Sequence, residues 1–159
     1  RDLRSILEAI ADGARLSKAP VHLTRVVRER IGPAIAQALL EPDNKLYAAL
    51  LDPGCEEVLR SCLVSNDSDA ALAPDLATAQ ALLGGVQQAV EQLSMAGHRP
   101  VLVAPTDLRF PLWKFVHRFM PQVIVVAQQE LPPRLEISAI ASVSVGAIFN
   151  QSQRAAVGA

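Results

Sequence analysis

Aromatic residues make up only 4% of this 159-residue chain, so any core must be aliphatic, built mainly from Leu, Val, Ile and Ala. Basic surplus is missing too. The formal net charge is −1 and the pI is near 6.3, which argues against a nucleic-acid partner. Lys18, Lys45 and Lys114 are the lysines, and the remaining positive charge is arginine. Cys55 and Cys62 are the two cysteines. They lie seven apart on an expected helix, about 10 Å along its axis, too far for a bridge. Two free thiols in a buried stripe suit a reducing compartment. No apolar run reaches the roughly 20 residues that span a bilayer, so this chain is not expected to enter the membrane. The sequence opens on Arg1 rather than Met and on an amphipathic pattern, so a secretory leader is not expected. The expectation is a non-enzymatic binding and assembly domain cut from a longer protein.

Chemical motifs are equally scarce. There is no GxGxxG and no Walker-type loop. After Val103 the chain reads Ala104-Pro105-Thr106-Asp107; the proline removes a backbone donor and Asp107 repels anions, so phosphate binding there is disfavoured. His22, His98 and His117 fall in separate segments with no Cys or His at ligand spacing, so no metal site is expected. Neither cysteine has a base nearby in sequence. No catalytic residue, no cofactor and no metal is therefore expected.

Half the residues are hydrophobic, enough to bury a core. Leu3, Ile6, Leu7 and Ile10 recur at helical spacing, with Asp2 as N-cap and Gly13 at the C-terminal end. A second helix starts at Pro20 and breaks at Gly32-Pro33. The break at 41–44 (EPDN) divides a helical subdomain, 1–43, from an α/β subdomain, 44–149, with a disordered tail at 150–159. In the second unit, Leu46–Leu51 reads as a buried strand, and Asp52-Pro53 opens a helix. Residues 65–74 read as a surface loop. A long helix follows from Asp75 to about Ala96, its inner face marked by Leu76, Ala79, Leu83, Val86, Val90 and Leu93. Val101–Ala104 and Val123–Val126 are short apolar runs around a helix, a β-α-β unit with parallel strands. Residues 135–145 alternate as an edge strand. The fold class is α+β: helices first, then a small α/β unit with a mixed sheet containing one β-α-β unit.

The order of segments carries a resemblance. RDLRSILEAIADGA, LLDPGCEEVLRSCL, PVLVAPTDLRFPLWKFVHRFMPQVIVVAQQELPP and LEISAIASVSV follow one another from Arg1 to about Val145. In that order they resemble the C-terminal cytoplasmic region of the export gate family of type III secretion, found in flagella and virulence injectisomes. The stretch Phe110–Val116 looks closer to the flagellar branch, while Ala127 departs from the Ser/Ala-Tyr/Asn pattern of the family. The resemblance implies a membrane-anchored parent at the cytoplasmic face of the bacterial inner membrane. Nine copies of its cytoplasmic part would form a ring that docks chaperones, export substrates and ATPase-complex components. This chain would hold the third and fourth of four subdomains. The family's chaperone groove lies upstream, so no docking residue is carried over. The third subdomain is implicated in ring contacts, which makes Arg1, Asp2, Arg4, Glu8, Arg25 and Arg28 the candidate ring interface. Charge reversal at Arg4 or Arg28 is then expected to leave folding intact, and the chain alone should be monomeric. Trp113 is either a core anchor or a partner contact. The alternative reading is a small α/β enzyme or ligand-binding domain that uses the strand ends after Ala104 and Ala127.

Overall fold

The computed structural model describes residues 3–66 and 69–145. Asp2 as a cap, and the tail at 150–159, fall outside them. The chain opens with three helices, α1 (Leu3–Gly13), α2 (Pro20–Arg30) and α3 (Gly32–Leu39), then β1 (Lys45–Leu51) and α4 (Pro53–Ser61). A hairpin of β2 (Leu63–Asn66) and β3 (Asp69–Leu72) leads to α5 (Leu76–Met95), β4 (Val101–Ala104), α6 (Thr106–His117), β5 (Ile124–Ala127), a 3-10 turn (Gln128–Glu130) and β6 (Glu136–Val143). Among the described residues, no helix is long and apolar enough to cross a membrane.

The α+β class and the β-α-β unit are present. Val101 pairs with Ile124 and Ala104 with Ala127 in parallel, and all four residues of β4 are buried. The sheet order is β5-β4-β1-β6, with β6 at an edge as its alternation predicts. One detail of the expected class is corrected: β6 also runs parallel to β1, so the four-stranded sheet is parallel rather than mixed. The cause lies in residues 128–135. β5 ends at the carboxyl end of the sheet, and these eight residues return to the amino end, where Glu136 pairs with Lys45. They must cross three strand spacings of about 4.8 Å as well as one strand length, and an extended segment can do so without a helix.

The sheet is covered on both faces. On one side Leu46, Ala48, Val101, Val103 and Val126 pack against Ala36 and Leu39 of α3 and against Leu131 of the crossing segment. On the other, Ala49, Leu102 and Val125 meet α4, α5 and α6.

Three further expectations are revised. Residues 65–74 are not a free loop: Leu63–Asn66 and Asp69–Leu72 pair antiparallel, and Leu63 and Leu72 at the base of the hairpin pack against the main core. In α5, Asp75 caps the helix as read, accepting from the Thr78 amide at 2.8 Å, but the buried face is Thr78, Ala81, Leu82, Val86, Ala89 and Leu93. Leu76 is 74% exposed. The rotation follows from Gly85, whose missing Cβ would stand 3.2 Å from the Ser144 carbonyl oxygen. The helix brings Gly85 against the end of β6, where a side chain would crowd Val143 and Ser144, and that close approach places Leu82 and Leu93 inside. The same rule governs α1. Ala9 and Gly13 are its buried residues, and a Cβ on Gly13 would already touch Leu23 and Val26 of α2 at 3.3 Å. The leucine stripe read from the sequence is therefore turned outward.

Both cysteines are free, but only Cys55 is buried; Cys62, just past α4, is half-buried. Burial, helped by Asp52 and Glu56, pushes the Cys55 thiol up to about 12 from its ordinary 9.0. At pH 8, a thiol reagent should label Cys62 alone in the folded chain, and both residues after unfolding, as read by mass spectrometry. Because the folded state keeps the Cys55 proton while the unfolded state loses it, this group's contribution to stability should fall as pH rises from about 9 towards 12.

Candidate functional site

The carboxyl ends of β4 and β5 open into a cleft of about 160 Å³ between α2 and α6. Val21, Arg25 and Arg28 come from α2, Arg109 and Phe110 from α6, and Glu130 from the 3-10 turn. The geometry rests on a single close approach. The start of α3 lies so near the 3-10 turn that a Cβ on Gly32 would stand 2.0 Å from the Glu130 carbonyl oxygen. That contact holds α2, which ends just before it in the chain, over the end of β5.

An ion pair then fastens α2 in place. Arg28 Nε donates to Glu130 Oε1 at 2.8 Å and Nη2 to Oε2 at 2.9 Å, a bidentate pairing. The Glu130 side chain is 3% exposed and that of Arg28 24%. Glu130 also accepts from the Ala127 amide at 3.3 Å. Beside this pair, Arg109 Nε donates to the Val125 carbonyl at 3.1 Å, and its guanidinium lies 5.9 Å from the Trp113 ring centroid. Burial, then the neighbouring Arg28, pushes Arg109 down to about 10, against an opposing pull from Glu130; it remains a cation at neutral pH. At the cleft's rim Arg60 donates to Asp107 through two hydrogen bonds, at 2.9 and 3.3 Å, and holds its carboxyl below the usual carboxylate range. Asp107 is thus a weak base at neutral pH.

The structure separates the residues grouped from the sequence as one charged face. Arg1 and Asp2 lie outside the described residues. Arg4 and Glu8 pair with each other at 2.8 Å on the exposed side of α1. Arg25 borders the cleft, its Nη2 3.4 Å from His22 Nδ1. Arg28 is half-buried and paired, which corrects the expectation that reversing it leaves folding intact: its partner is a carboxylate that is 3% exposed. Glu130 and Arg109 were missed by sequence reading, and Asp107 was read only as a residue that repels anions at the start of its helix. The one available signal was a Glu standing between the buried run ending at Ala127 and the apolar Leu131, where an unpaired charge would be costly.

Trp113 is half-buried and packs against the main core. Its ring stacks on His117 at 4.9 Å and near Phe110 at 5.9 Å. It is a partly exposed anchor. Trp113→Ala should cost about 2–3 kcal/mol in urea denaturation, less than the ~3–5 kcal/mol of a fully buried aromatic. A loss under about 1 kcal/mol would mean that the ring contributes nothing to the core.

The comparisons with known proteins follow the same line. The FHIPEP family model matches residues 1–136. The flagellar biosynthesis protein FlhA of Salmonella typhimurium is 34% identical over 143 residues, covering 90% of this chain and 20% of that protein. The low calcium response locus protein D of Yersinia pestis is 30% identical over 137 residues, covering 86% and 20%. The chain thus spans about a fifth of the length of these curated relatives. Among solved structures, the CdsV protein of Chlamydia pneumoniae superposes with a TM-score of 0.80 at 26% identity, over 90% of this chain and 41% of that one. The nonameric EscV cytosolic domain from the type III secretion system shares the fold, with a TM-score of 0.70 at 21% identity, over 91% and 42%. With 136 residues under the family model and relatives of this similarity, the chain belongs to the FHIPEP family and matches the cytoplasmic region of the type III export gate.

Proposed function

We propose that this chain forms part of the cytoplasmic ring of a type III protein export gate, and that it works by binding rather than by catalysis. Its parent would be anchored in the bacterial inner membrane. Nine copies would assemble there and dock chaperones, export substrates and components of the ATPase complex. Two likenesses support the assembly: the fold is shared with nonameric relatives, and one relative of known structure, CdsV, was solved in complex with CdsO. Two of the three carboxylates bordering the cleft, Glu130 and Asp107, are engaged by Arg28 and Arg60, an arrangement suited to recognition more than to proton transfer.

The observation that carries the ring reading is the outer face of α1. Leu3, Leu7 and Ile10 stand on one side of the helix and are 66%, 58% and 38% exposed. A ring needs two unlike surfaces that meet head to tail, and an apolar helix face is a suitable half of such a contact. It replaces Arg28 in the candidate interface, while Arg4 and Glu8, beside it, remain as a polar rim. Three side chains fall well short of the ~800 Å² per partner of a stable interface, so the chain alone should still be monomeric at micromolar concentration by light scattering. Leu7→Glu should change stability by less than about 0.5 kcal/mol, because its side chain leaves no core site empty. In the full-length protein the same change should prevent ring assembly and abolish secretion. Normal secretion from that variant would refute this face as the ring contact.

A further inference from the structure

The cleft between α2 and α6 has no part in the ring contact just described, and its chemistry is incomplete. Arg28 and Asp107 are both satisfied, by Glu130 and Arg60. Arg109 is not. It is half-buried, and its Nε is taken by the Val125 carbonyl. Its two terminal nitrogens have no protein partner among the described residues. An arginine fork held in place by one backbone bond, with the Trp113 ring centroid 5.9 Å from its guanidinium, is pre-organised for a second, planar acceptor. Arg25 adds another cation at the same mouth, with only a 3.4 Å contact to His22. Between them lie the apolar surfaces of Val21, Phe110 and Pro111.

We infer that this cleft binds a carboxylate side chain of a partner protein, presented on a segment with an adjacent apolar residue. Arg109 would take the carboxylate oxygens through its free fork, Arg25 would close over them, and the apolar neighbour would rest on Val21 and Phe110. The size decides against other ligands. A cleft of about 160 Å³ admits one or two side chains, whereas drug-sized or cofactor-sized molecules occupy roughly 300–1,000 Å³. Charge decides against phosphate. Glu29, Asp107 and Glu130 all border the site, and a dianion would meet more repulsion there than a carboxylate would.

The test uses the 159-residue chain, isotope-labelled for NMR, and a capped peptide of alternating leucine and glutamate, with the same peptide carrying glutamine as control. The glutamate peptide should shift the Arg109 side-chain Nε–H resonance and the amides of Phe110 and Ala127. It should bind about tenfold or more tightly than the glutamine peptide, and the difference should shrink as salt is added. Arg109→Gln should remove binding. Since that variant also disturbs a buried contact, Arg25→Glu, at an exposed position, serves as the second: it should weaken binding at least about fivefold with an unchanged melting curve. Equal affinity for the two peptides would overturn the inference. So would shifts that map to α1, or no shift up to roughly 10 mM peptide. The same resonances moving on raising protein concentration without peptide would assign the cleft to a second copy, and would overturn it as well. Leu7→Glu should leave peptide binding unchanged, so failure of the ring reading and failure of this one are separable.

Discussion

Replacing Gly32 by alanine should destabilise the chain by more than about 3 kcal/mol, beyond the usual range for overpacking. Two effects compete at this position. Alanine is the better helix former by about 1 kcal/mol, and Gly32 lies in the first turn of α3. Against that gain, the new Cβ would stand 2.0 Å from the Glu130 carbonyl oxygen and 2.9 Å from its carbonyl carbon. Both obstacles are backbone, so no rotamer change relieves them; α3 or the 3-10 turn must move. Either motion also pulls Glu130 from Arg28. Gly84 provides the control. It lies in α5, and a Cβ added there would meet nothing within 4 Å, so Gly84→Ala should stabilise by about 0.5–1 kcal/mol. Urea midpoints of the two variants should thus move in opposite directions. A Gly32→Ala chain as stable as the parent would mean that the 3-10 turn does not hold α3 where the structure places it.

Arg28→Ala should cost about 3 kcal/mol, the lower end of the range for breaking a buried ion pair. The lower end applies because a quarter of the Arg28 side chain reaches water, whereas Glu130 is 3% exposed and would be left with only the Ala127 amide as a donor. Most of that loss is the penalty on the orphaned carboxylate rather than the strength of the pair. It follows that Glu130→Leu added to Arg28→Met should recover a good part of the stability lost in either single variant, with a coupling of about 1–3 kcal/mol in a double-mutant cycle. Strict additivity of the two changes would show that they do not share a site. Loss of secretion in an Arg28 variant of the full-length protein would then report on folding, so it could not by itself identify a ring contact.

Local signals in the sequence were read well where the local rule decided the outcome. Pro20 and Pro53 stand at the first turns of α2 and α4, Asp52 and Asp75 cap α4 and α5, and Gly97 takes a left-handed φ of 83° after α5. The apolar runs Val101–Ala104 and Val123–Val126 pointed to a covered parallel pair, which the structure places at Val101–Ala104 and Ile124–Ala127. The ordered segments were enough to identify the family as well, because motif order needs no coordinates.

What only the tertiary structure decided were the faces and the partners. Periodicity says that a helix has an apolar side; it does not say which side packs when small residues offer a closer approach. In α1, Ala9 and Gly13 take the buried side in place of Leu3 and Leu7, and in α5 the close approach at Gly85 goes with burial of Leu82 and Leu93 rather than Leu76. That choice turns Leu3 and Leu7 outward and leaves an apolar face available for assembly. Likewise no spacing rule links Arg28 to Glu130 across 102 residues, or places Arg109 beside them. A pairing of that kind exists only once the crossing segment 128–135 has carried the chain back over the sheet, and its strength comes from the burial that the crossing creates.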